Sequence, residues 1–118
     1  MAQTQTFPAP EPGLTWLTEG GTETEIMFRH GHELREFAMF ELLDRPAAVE
    51  DLRDMYRRYL DAAAEHGFAA LVAGLDYRAS PDWGAKLGYS PAGLAEMQHR
   101  CIDFLREVAA PYEGQLPR

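Results

Sequence analysis

Apolar positions along this chain follow two rhythms, and the rhythms alternate. From Ala47 to His66 the residues Val49, Leu52, Tyr56, Tyr59, Leu60 and Ala63 recur at three- and four-residue steps, which predicts a long helix with one buried stripe. Asp44-Arg45-Pro46 supplies its start and Gly67 its end. Its other face is charged, with Glu50, Asp51 and Asp54 toward the start and Arg53, Arg57 and Arg58 after them, an order that suits the helix dipole. A second stripe of Leu94, Met97, Cys101, Phe104, Leu105 and Val108 predicts a last helix, opened by Ser90-Pro91 and running to about Ala110.

The other rhythm is the short apolar run. Leu14, Trp16 and Leu17, with threonines between, predict a buried strand that stops at Gly20-Gly21. Phe68 to Gly74 is continuously apolar and predicts a parallel strand covered on both faces. Strand, long helix and strand make a βαβ unit. Ser80-Pro81 opens a short helix that closes at Gly88, with the serine as a candidate cap, and Leu34 to Leu43 is a short apolar piece of its own. Pro8, Pro10 and Pro12 predict a disordered tail over residues 1–13. Pro111 and Gly114 release residues 111–118 as a loose end, which leaves 14–110 as the folded part.

The joint after the first strand is the candidate site. Glu19 puts a carboxylate at the strand's C-terminal end, and Gly20 and Gly21 can adopt positive φ and admit a ligand close to the main chain. Thr22-Glu23-Thr24-Glu25 has the capping-box pattern ahead of Ile26, Met27 and Phe28, so a short helix begins there. The same residues also read as a plain strand-turn-helix joint. His30, His32 and Glu33 resemble a metal cluster but lack further partners at standard spacing. Tyr77 and Trp83 either wall a pocket or pack the short helix, Arg78 is a candidate for a substrate carboxylate, and Asp76 is a turn residue or a polar contact. His66 complements a helix C-terminus, and His99 lies off the apolar stripe.

Composition narrows the partners. The 118 residues carry a net charge of −8, which disfavours nucleic acid and anionic membrane surfaces. No apolar stretch is long enough to span a bilayer, no targeting segment is visible, and the single cysteine forms no internal disulfide, so the expected location is the cytoplasm. Two βα units with loops at the strand C-terminal ends are the opening of an α/β fold, either a doubly wound sheet or a (β/α)8 TIM barrel. A whole barrel takes roughly 250 residues, so this chain is a truncated one, unable to close alone.

Four words in the chain resemble the homocysteine S-methyltransferase family over about residues 14 to 109. They are Glu-Gly-Gly-Thr-Glu-Thr-Glu at 19–25, Phe-Arg-His-Gly at 28–31, Glu-Phe-Ala at 36–38, and Tyr-Arg-Ala-Ser-Pro-Asp-Trp-Gly-Ala-Lys-Leu-Gly-Tyr at 77–89. The resemblance implies a TIM barrel that transfers a methyl group to homocysteine to give methionine, with zinc holding the substrate sulfur as a thiolate. It implies Glu19, Gly20 and Gly21 as substrate-binding residues. Glu19 stands where the family usually has aspartate, one methylene shorter, and Gly74-Leu75-Asp76-Tyr77 departs from the threonine-containing segment of relatives. The family's zinc cysteines lie on later strands, so no metal ligand and no catalytic residue is assigned here. Cys101, on an apolar stripe, reads as a core residue.

Two readings follow. On one, the chain is the N-terminal segment of such an enzyme, inactive alone, whose partners are homocysteine and an unidentified methyl donor (a sulfonium compound, a betaine or a folate). On the other, it is a non-catalytic module that self-associates or docks on a partner chain through its open barrel edge.

Overall fold

The computed structural model describes residues 9–118, so most of the proline-rich tail lies outside the described residues. The fold is α/β. Strands β1 (Trp16–Thr18) and β2 (Ala69–Leu71) form a two-stranded parallel sheet in which Trp16 faces Ala69 and Thr18 faces Leu71. Helix α1 (Thr22–Phe28) follows β1, and the long helix α2 (Pro46–His66) makes the crossover to β2. Helices α3 (Pro81–Lys86) and α4 (Pro91–Ala109) complete the body. Among the described residues no helix is long and apolar enough to cross a membrane.

The ends of α2 follow from its sequence. Arg45 is extended, as a residue before proline prefers, and Pro46 opens the first turn, where its missing N–H costs nothing. Gly67 takes the left-handed conformation at φ 69°, and the N–H of Phe68 returns to the Ala63 carbonyl at 2.9 Å, closing the helix in a Schellman turn. At α4 the Ser90 hydroxyl accepts the Gly93 N–H at 3.0 Å. Ser80 makes no such bond at α3, so that expected cap is absent and Pro81 alone sets the start.

The core lies between α2, α4 and the segment before α2. Leu52, Met55, Tyr56 and Leu60 of α2 pack in one cluster with Leu94, Met97, Cys101, Phe104, Leu105 and Val108, the full predicted stripe of α4. Phe40 and Leu42 enter the same cluster from one of two 3₁₀ turns, Arg35–Phe37 and Phe40–Asp44, into which the apolar piece before α2 folds. Tyr56 meets Phe104 edge-on at 6.0 Å between ring centres.

The sheet departs from expectation in two respects. β1 is half-buried where a buried strand was expected, and β2 is three residues long where a run from Phe68 to Gly74 was expected. Leu71 is 38 % exposed, so both faces of β2 are not covered. Pairing stops where β1 stops, at the break before Gly20-Gly21, and among the described residues β2 has no second strand to extend it. Beyond α4 the chain turns at Ala110–Tyr112, and the Tyr112 hydroxyl donates to Asp61 Oδ1 at 2.5 Å. The Arg118 carbonyl then accepts the Ala70 N–H at 3.3 Å. Ala69 donates to Thr15 in the β1 direction, so Ala70, the next residue, bonds on the opposite edge of β2.

Candidate functional site

The C-terminal ends of both strands are tied together by side chains. Glu19 Oε1 accepts the Ala73 N–H at 2.5 Å, linking the exit of β1 to the exit of β2. Two tyrosines one helical turn apart on α2 hold the same exits from behind. The Tyr56 hydroxyl donates to the Ala73 carbonyl at 3.2 Å, and the Tyr59 hydroxyl donates to the Gly20 carbonyl at 3.1 Å. Burial drives the Tyr56 hydroxyl well above its ordinary pKa, and the negative charge of Glu19 adds to that.

The second carboxylate oxygen, Glu19 Oε2, is buried without a hydrogen-bond partner among the described residues. An unsatisfied buried acceptor is costly, and this one belongs to the residue that directly precedes the two glycines. A Cβ at Gly20 or Gly21 would meet no atom within 4 Å. Gly21 stands at φ 60°, in the left-handed region that a side chain would strain, whereas Gly20 does not.

The capping box predicted at 22–25 does not form. Gly21 is the residue before the helix, so Thr22 already lies in the first turn and its hydroxyl donates to Glu23 at 3.2 Å instead. Glu25 is thereby free to take Arg29 and Arg58, at 3.3 and 3.4 Å.

Asp76 serves its turn. Its carbonyl accepts the Ala79 N–H at 2.8 Å, and its carboxylate folds back so closely that a Cβ at Gly74 would lie 2.7 Å from Oδ1. His30 and His32 both face Asp51: His32 Nε2 is 2.6 Å from one oxygen and His30 Nδ1 is 3.5 Å from the other. The His32 hydrogen bond holds the Asp51 carboxyl below its usual range, with the charge of the His30 ring adding to it. Among the described residues no group of three or more such side chains could hold a metal ion. His66 stacks on Phe68 at 5.7 Å.

Cys101 does not fit a zinc ligand. It is buried in the α4 stripe, and desolvation pushes its thiol up to about 11, far from the thiolate that a metal requires. Residues 9–118 therefore hold no donor set for the zinc that the resemblance implies.

Local sequence pattern missed the two tyrosine hydroxyl bonds and the pairing of His30 and His32 with Asp51. A signal for the first existed, because a phenol on a buried stripe needs a partner for its hydroxyl. Comparison of the chain with protein-family models, with curated proteins and with solved structures gives no match.

Proposed function

We propose that this chain is the N-terminal segment of a zinc-dependent homocysteine S-methyltransferase built on a (β/α)8 barrel, and that it is inactive as an isolated piece. Glu19, Gly20 and Gly21 form its contribution to the amino-acid pocket. The observation that carries the reading is Glu19 Oε2, a buried carboxylate oxygen without a partner, beside glycines that leave room. An amino group is the donor that such an oxygen lacks. The parallel strand-helix-strand order and the bond from Ala70 to Arg118 on the outer edge of β2, where a third parallel strand would add, support the barrel. The zinc ligands and the methyl donor contacts belong to residues beyond these.

The test is methyl transfer to homocysteine by the product of the whole reading frame, assayed with S-methylmethionine, betaine and methyltetrahydrofolate. Turnover is expected with one donor, and Glu19→Gln should raise the homocysteine KM by about tenfold, as loss of a charge-assisted bond does. Absence of turnover with every donor overturns the reading.

A second reading has its own support. An apolar groove of about 330 Å³, lined by Leu60, Ala70, Val72, Tyr112 and Leu116, runs beside the outer edge of β2. On this reading the chain is a non-catalytic module that self-associates there. Sedimentation as a dimer by an inactive product separates it from the first.

A further inference from the structure

Among the described residues, three non-glycine residues have positive φ, and all three meet in one place. They are Glu36 at 52°, Phe37 at 59° and Arg78 at 61°. Arg78 Nη1 donates to the Glu36 carbonyl at 2.6 Å, and the Phe37 ring meets Tyr77 edge-on at 6.3 Å. Left-handed conformations in such residues are costly and persist where the surroundings hold them, often at ligand sites.

The charges at this place are unusual for an acidic chain. The Arg78 guanidinium lies 4.0 Å from the centre of the Trp83 ring and 5.3 Å from that of Tyr77, and the Lys86 ammonium lies 4.4 Å from the same Trp83 ring. Two cations thus gather on one indole. Neither takes part in an ion pair among the described residues, although the chain has 19 acidic against 11 basic side chains. Residues 1–8 add no carboxylate, because none of them is acidic. Among the described residues only Nη1 of Arg78 has an acceptor, which leaves Nε and Nη2 to donate in the fork geometry that suits a carboxylate or phosphate. Beside them Tyr77 is 50 % exposed and Phe37 38 % exposed, two apolar rings open to solvent.

We infer that Arg78, Lys86, Tyr77 and Phe37 form a binding site for a small aromatic anion, whose carboxylate or phosphate takes the free donors of Arg78 while its ring packs on Tyr77 and Phe37. Trp83 holds the two cations in place from below the anion. This site exists whether or not the chain serves methyl transfer, since it uses neither Glu19 nor the glycines.

The Trp83 indole N–H resonance of the 118-residue chain, assigned with Trp83→Phe, reports binding directly. Benzoate, phenyl phosphate and neutral benzyl alcohol are titrated separately. At least one anion should shift the resonance saturably, with Kd about tenfold or more below that of benzyl alcohol. The tighter of the two anions identifies the site as one for carboxylates or for phosphate esters. Arg78→Gln should weaken that anion by about tenfold, and Arg78→Lys by less, because the charge stays while the fork is lost. No shift with either anion, equal binding of benzyl alcohol, or full affinity in a folded Arg78→Gln variant would overturn the site. If Arg78→Gln does not fold, Phe37→Ala decides instead, since its exposed ring lies outside the core: about threefold weaker binding is expected, and unchanged affinity overturns the site.

Discussion

Glu19 Oε1 and the Ala73 N–H, 2.5 Å apart, join residues 54 positions distant and close the gap between the two strand exits. Replacing Glu19 with alanine leaves that N–H without its acceptor, and a loss of about 1 to 2 kcal/mol in unfolding free energy is expected. Glutamine keeps an acceptor oxygen and should lose less. Urea denaturation of the two variants gives the comparison, and an alanine variant as stable as the parent would show that the bond contributes nothing.

Tyr56→Phe removes a buried hydroxyl and leaves the Ala73 carbonyl without it, at an expected cost of about 1 kcal/mol by the same measurement. Tyr59→Phe, at a half-buried tyrosine whose bond to Gly20 is exposed, should cost less.

Alkali should unfold the protein through its phenols. Burial is the first cause that raises both Tyr89 and Tyr112 to about 12, from an ordinary value of 10.0, and it raises Tyr56 further. Because the folded-state values are raised, their contribution to stability is intact below the unfolded pKa and is lost as pH rises from there through the folded values. Phenolate absorbance followed together with circular dichroism should therefore show these tyrosines ionising with unfolding between about pH 10 and about pH 12. Ionisation of all five tyrosines well before the loss of helix signal would contradict it.

Acid should act through Asp51. The His32 bond depresses its pKa in the folded state, so its contribution is present above the unfolded value of 3.8 and is lost as pH falls through the folded value. Asp51→Asn removes this group, and its urea midpoint should fall less than that of the parent between about pH 5 and about pH 3. Parallel falls would remove Asp51 from the acid response.

Glycine at Glu36 should stabilise the fold by about 1 kcal/mol, because the left-handed conformation costs glycine nothing. A thermal melt measures this, and a drop in the midpoint would mean that the Glu36 backbone is unstrained.

The two long helices were legible because stripe, proline start and glycine end agree at α2, and serine cap, proline and stripe agree at α4. The parallel pair was legible as well, since an apolar run on either side of a long helix has few other ways to pack. Its shortness was not, because strand length depends on a partner and β2 has only three residues of β1 to pair with. The capping box failed on one residue: Gly21 took the left-handed position and moved Thr22 inside the helix. At the site, the position of Glu19 could be read, but not its bond to Ala73. The left-handed turn at Arg78 had no glycine or asparagine to announce it, and the meeting of Asp51 with His30 and His32 spans a separation that no local pattern covers.

Tyr56 and Tyr59 have a consequence for motion. Sitting one turn apart on a single helix, they fasten Ala73 and Gly20 to the same rod, so the two strand exits share one frame of reference. Any guest that pushes on the glycine loop must either tilt α2 or break a phenol bond. A disturbance at one exit is thereby felt at the other.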